Sequence, residues 1–195
     1  MKVPGLRFFI TLTIVMPIFF SIMWILSASI DGKWAFGVNS LSDMGISENA
    51  ISAFLFNFGC IVTGLFGSFI GFGMFAYGKR TMKYAGILYI ISMIFLAFVG
   101  VFTLPQRMHY IVASSYGIFF ALSVVVATPS DWKLSWYLYF DIIFIIFGLI
   151  IVGTQTFPVW EAVMVIAAMV WTVVLGYKMF KEDALFSDEP NLRIV

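Results

Sequence analysis

Apolar residues run along the chain in long uncharged stretches separated by short polar clusters, the pattern of a protein that crosses a bilayer repeatedly. The first stretch extends from Phe8 to Ile30, between Arg7 and Asp31, and about 20 apolar residues suffice for a helix to span. Others run from Asn49 to Gly78, from Tyr84 to Gln106 and from Tyr110 to Ser130. The region from Leu134 to Tyr177 has room for two crossings, divided at Thr154-Gln155-Thr156-Phe157-Pro158, where polar residues and a proline interrupt the apolar run. Six transmembrane helices are therefore predicted, over residues 8–30, 49–77, 84–104, 110–128, 134–153 and 159–178. The connections are short, so consecutive helices should pack antiparallel in one all-α domain, residues 1–180, an integral membrane six-helix bundle. Residues 181–195 read as a charged, partly mobile tail too short for a domain.

Composition agrees: 62% of the 195 residues are apolar and 11% charged, far from the norm of soluble domains. Ser27-Ala28-Ser29 could mimic a signal-peptidase site, but the apolar run before it exceeds a secretory signal, so the first span reads as an uncleaved anchor. Basic residues are retained on the cytoplasmic side of short connections. One side holds Lys2, Arg7, Lys79, Arg80, Lys83, Lys133, Lys178, Lys181 and Arg193, and the other only Lys33 and Arg107. Both termini are thus expected in the cytoplasm, with Asp31 to Glu48 as the main external loop. Tyr77, Tyr84, Trp132, Trp136 and Tyr177 fall near the inner interface in this frame, and Trp34 and Trp160 near the outer one.

A net charge of +1 argues against nucleic-acid binding. The single cysteine, Cys60, and the single histidine, His109, exclude an intramolecular disulfide, a multi-histidine or thiolate-rich metal site and bis-histidine haem. No metal and no cofactor is expected; the partners to expect are membrane lipids and other membrane subunits.

Membrane helices associate through small residues, and the second span carries a stripe of them at Ala53, Asn57, Cys60, Gly64, Gly67 and Gly71. The fourth span offers His109, Ala113, Gly117 and Ala121, and the sixth Glu161, Val165, Ala168, Thr172 and Gly176. Asn57, His109 and Glu161 are thereby aimed inward at a similar depth. Each also has a plain structural reading: an interhelical hydrogen bond for Asn57, a cap or interface residue for His109, a solvated first-turn carboxylate for Glu161. Asp141 is either a buried acid or, if its helix starts later, an interfacial one. The first four spans hold no charge, which counts against a pump or channel.

The external loop reads Leu41-Ser42-Asp43-Met44-Gly45, followed by Glu48 and then by Phe56-Asn57-Phe58. This resembles the six-helix DRAM/Sfk family, including the PGAP-type GPI-lipid remodelling proteins, and their uncharacterised prokaryotic relatives. Those proteins carry a Ser-Asp-x-Gly turn, an acid after it, an Asn in helix 2 and a His opening helix 4. Here these fall on Ser42, Asp43, Gly45, Glu48, Asn57 and His109. The loop lacks the prolines of the eukaryotic members, so it is closer to the prokaryotic group. The resemblance implies a prokaryotic plasma-membrane protein that binds or remodels a lipid headgroup at an external polar pocket.

Read from the residues themselves, the motif is either an Asx-type turn, with Gly45 at positive φ, or a flap that lets Asp43 orient His109. The second reading predicts a cluster of Asp43, Asn57 and His109 at the bundle mouth, with Glu161 as a fourth member. Ser42 and Asp43 are adjacent in sequence, so no catalytic triad is assigned. A non-enzymatic scaffold or accessory subunit, and a small-solute transporter, are the competing functions.

Overall fold

The computed structural model describes residues 5–131 and 135–187. Lys2, Trp132, Lys133, Arg193 and the tail beyond Ser187 lie outside the described residues. Six helices are long and apolar enough to cross a membrane: α1 (Leu6–Asp31), α2 (Ala50–Tyr77), α3 (Thr81–Val101), α4 (Arg107–Ala127), α5 (Ser135–Thr154) and α6 (Phe157–Ser187). A 3-10 helix, Leu41–Ile46, lies in the connection between α1 and α2. The chain is an integral membrane helical protein.

The boundaries depart from the apolar pattern where charge or proline does not stop a helix. α3 begins at Thr81 rather than 84, taking Lys83 into its first turn. α6 begins at Phe157 with Pro158 in its first turn, where a missing N–H costs nothing because that group has no intrahelical partner. Its far end continues to Ser187, so the segment from 181 begins as helix rather than as a separate tail.

Consecutive helices are antiparallel neighbours, and α6 returns to α1, so the six form a closed ring. The tightest contacts follow the glycines of α2. A Cβ at Gly64 would lie 2.5 Å from the Met93 carbonyl oxygen and 2.7 Å from Ala97 Cβ, and one at Gly71 2.9 Å from the Gly86 carbonyl. Gly67 abuts the Met93 side chain. A second glycine face of α2, which the stripe did not include, receives α1: Gly59 lies against Met23 and Gly73 against the Phe9 ring. The ring closes where Gly176 of α6 meets Thr13 of α1; a Cβ there would overlap Thr13 Oγ1 and lie 2.7 Å from Thr13 Cβ.

Buried hydroxyls tie the same pairs. Ser27 and Ser52 donate reciprocally to each other's carbonyls at 2.9 Å, joining α1 to α2. Ser92 donates to Tyr116 O at 2.8 Å and Ser123 to Ala85 O at 2.9 Å, joining α3 to α4. Tyr89 and Thr172 hydroxyls meet at 3.0 Å across the interior, beside the rings of Phe120 and Trp171.

The stripe on α4 runs differently from its sequence expectation. His109 is buried and Ala113 half-buried, but Gly117 and Ala121 are exposed, with nothing within 4 Å of a Cβ at Gly117. Strict four-residue spacing advances about 40° per step at 3.6 residues per turn, so three steps turn about 120° away from the interface. The buried face instead follows Val112, Phe120, Ser123, Val124 and Ala127, with Tyr116 half-buried.

α5 is the most thinly packed helix. Its main polar attachment is Asp141, buried as its seventh residue, which accepts from Trp171 Nε1 at 2.9 Å and from Thr128 Oγ1 at 3.5 Å. Because α5 starts at Ser135, the interfacial alternative for Asp141 does not hold.

Candidate functional site at the loop-side mouth

The connection between α1 and α2 is organised by side chains that bond backbone. α1 ends at Asp31, followed by Gly32 at φ 68°, a left-handed conformation that favours glycine. Asp31 Oδ2 accepts from the Lys33 and Trp34 amides at 3.1 and 2.6 Å, and its Oδ1 accepts from the Ser47 hydroxyl. One carboxylate therefore draws both ends of the loop together. Asn49 caps α2 through the amides of Ile51 and Ser52, and Trp34 Nε1 donates to Ser40 O at 2.8 Å.

The 3-10 helix sits between these anchors with Leu41, Ser42, Met44 and Gly45 buried. Asp43 accepts from the Ser40 amide at 2.8 Å, and the Asp43 amide donates to Ser40 O at 3.3 Å. Its carboxylate is thus occupied within its own turn, as the Asx-type reading expected, and does not orient His109. Positive φ falls at Gly32 and Gly37 among the described glycines, not at Gly45. Gly45 is small for another reason: a Cβ there would lie 2.6 Å from Asn57 Oδ1.

Two helices of the bundle hold this segment from below. Glu161 of α6 accepts the Leu41 amide at 2.7 Å on Oε2 and the Ser42 hydroxyl at 3.1 Å on Oε1. Asn57 of α2 donates from Nδ2 to the Gly45 carbonyl at 2.9 Å. The first turn of the segment rests on α6 and its last on α2, so it covers the mouth as a lid. Asn57 lies about 10 Å below the start of α2, Glu161 about 6 Å below that of α6, at 1.5 Å per residue.

The structure thus brings Ser42, Gly45, Asn57 and Glu161 together. His109 serves a different end. Its Nδ1 bonds the Phe102 carbonyl at 2.7 Å, which places the proton on Nδ1 and satisfies a carbonyl at the C-terminal end of α3. Glu48 is also apart, exposed and paired with Lys33 at 2.5 Å. Each holds the other's charged form: the Lys33 ammonium keeps the Glu48 carboxyl below the usual glutamate range, and Glu48 raises Lys33.

Two buried polar atoms near this mouth have no hydrogen-bond partner among the described residues: Asn57 Oδ1 and Trp24 Nε1. Both sit about seven residues, or roughly 10 Å, from the loop-side ends of their helices. Buried polar atoms are ordinarily satisfied, so these two stand out as exceptions.

Asp31 and the Ser27/Ser52 pair are the organising residues that the sequence reading passed over. Asp-Gly-Lys at the end of an apolar run is a helix-stop and turn signal that could have found the first. No local signal marks the second.

The family described as "Protein of unknown function (DUF998)" matches the chain over residues 13–178, from α1 into α6. No curated protein and no solved structure matches it. The likeness of the loop to the DRAM/Sfk group rests on the short motif alone.

Proposed function

The chain belongs to the DUF998 family, and from that premise we propose that its loop-side mouth binds the polar headgroup of a membrane amphiphile beneath a movable lid. The observation that carries this is the pairing of a carboxylate latch with an unsatisfied amide oxygen. Glu161 holds the lid through Leu41 and Ser42, while Asn57 Oδ1 beside Gly45 has no partner. Both groups are acceptors, so the matching guest is a donor-bearing headgroup, an amine or a polyol. Its acyl chains would remain among the apolar outer faces of the helices. On lifting the lid, the headgroup would replace Leu41 and Ser42 at Glu161 and donate to Asn57 Oδ1. Headgroup binding is the step these residues support.

A second reading has its own support. Ser42, Asp43, His109 and Glu161 each bond protein groups, as expected of a scaffold or accessory subunit whose polar cluster only fixes the loop. The discriminating experiment is mass spectrometry of lipids that copurify with the full chain. Wild type, Asn57→Ala and Glu161→Ala are compared, with folded yield measured for each. A lipid bearing an amine or polyol headgroup, enriched in wild type and depleted at least about tenfold in both variants, supports headgroup binding. Equal lipid content in all three proteins refutes it and leaves the scaffold reading.

A further inference from the structure

At the opposite end of the bundle, where α2 turns into α3, the structure forms an open groove of ≈ 520 Å³ lined by Phe75, Arg80, Thr81, Lys83 and Tyr84. We infer that this groove is a binding site for the phosphate of an anionic phospholipid, independent of the loop-side mouth.

Charge is the first ground. Arg80 and Lys83 contribute two cations within four residues, and neither is paired with a carboxylate among the described residues. The sequence holds no Asp or Glu between Glu48 and Asp131. Among the described residues this turn is therefore a positive site without a carboxylate partner, on a chain whose net charge is only +1.

An unsatisfied donor is the second. Thr81 Oγ1 lies buried with no hydrogen-bond partner among the described residues, at the first residue of α3, and Thr81 lines the same groove. A hydroxyl left without a partner is costly, and a phosphate oxygen would accept from it. Of the first-turn amides, Met82 N–H already donates to Lys79 O at 3.0 Å. The hydroxyl and the two cationic side chains are the side-chain donors that the groove offers a ligand.

Shape and depth favour a lipid over a free ion. The groove opens at the end of two spanning helices, where headgroups lie, and its remaining walls are the largely exposed rings of Phe75 and Tyr84. One turn nearer the bundle centre, Phe72 on α2 and Ile87 on α3 are also exposed to the surroundings of the helices. A phosphate held by Arg80, Lys83 and Thr81 would leave acyl chains lying along that surface. Basic pockets at the ends of transmembrane helices bind anionic headgroups on this principle.

The test uses the full chain in detergent, with native mass spectrometry reading retention of added phosphatidylglycerol against phosphatidylcholine. Wild type should retain phosphatidylglycerol preferentially. Arg80→Gln with Lys83→Gln should weaken that retention about 30-fold, from about fivefold per cation near the surface. Thr81→Val should weaken it with all charges kept. Arg7→Gln with Lys181→Gln removes equal charge from the same end of the bundle and should leave it unchanged. Equal losses in both charge pairs, or no preference in wild type, would overturn the site. Retention abolished by millimolar inorganic phosphate would replace the lipid by a free anion and overturn it also. Should the glutamine pair fail to fold, the Thr81→Val comparison decides alone: retention equal to wild type rejects the site.

Discussion

Replacing Glu161 by alanine removes both acceptors that hold the first turn of the lid. Hydrogen bonds to charged groups contribute roughly 1.5–3 kcal/mol each, and for a half-buried carboxylate the lower end applies. Two such bonds give about 3 kcal/mol, or about a hundredfold in the equilibrium between docked and lifted lid. Leu41 and Ser42 are buried beneath their own turn, so lifting exposes amides that are otherwise protected. Hydrogen–deuterium exchange over residues 40–46 in nanodiscs should therefore speed up about a hundredfold in Glu161→Ala. Glu161→Gln keeps one carbonyl acceptor and should show about tenfold. Asn57→Ala loses a neutral bond to Gly45 O, about 1 kcal/mol, and should accelerate the last turn about fivefold. Exchange at Leu41 within about twofold of wild type in Glu161→Ala would refute the latch.

Gly176→Ala should destabilise the bundle by about 1–3 kcal/mol by forcing α6 from Thr13, whereas Gly117→Ala, at an exposed position, should cost nothing; unfolding of the two variants in mixed micelles of increasing SDS fraction checks the difference, and equal losses would contradict the packing. The Lys33/Glu48 pair follows the depressed Glu48 and raised Lys33. Its contribution is present above the unfolded Glu48 value and lost as pH falls through the folded one; at the alkaline end it is lost as pH rises through the raised Lys33 value. Both side chains are exposed, so Glu48→Gln should leave exchange of residues 40–46 unchanged at neutral pH, and a large acceleration would show that the pair, not Asp31, holds the loop. Cysteines placed by Lys33→Cys and Lys79→Cys, each in a Cys60→Ala background, should label from opposite sides of the membrane if basic residues orient the chain; labelling from one side would reject the topology.

What could be read from sequence, and what could not, separates along a physical line. The stripe on α2 alternates steps of four and three from Ala53 to Gly71, which averages close to the helical period, so its members stay on one face and meet α3. The stripe on α4 advances by four each time and leaves the interface by Gly117. Both look alike as lists of small residues; only the accumulated angle separates them. The Asp43 turn was legible because its bond to Ser40 spans three residues. The bond from Glu161 to Leu41 spans 120, and nothing local to either residue announces it. His109 is expected in the cluster because it opens the fourth span on the loop side and heads a stripe of small residues. Its ring is instead used seven residues away, on the carbonyl that α3 leaves open at Phe102. A polar residue at the right depth is therefore a weaker guide than the nearest unsatisfied backbone group.

The meeting of Gly176 with Thr13 carries a consequence for how the chain is made. α1 leaves the ribosome first of the six helices, and the surface that its Thr13 presents waits for α6, the last of them. Hairpins α1/α2 and α3/α4 can form while synthesis continues, since their serine ties lie within neighbouring helices. The buried Tyr89 hydroxyl has no Thr172 until the final helix arrives. The lid waits as well, because Glu161 is also on α6. Until α6 is in place the first five helices form an open horseshoe with a polar gap, and the insertion of this one helix both closes the wall and fastens the mouth.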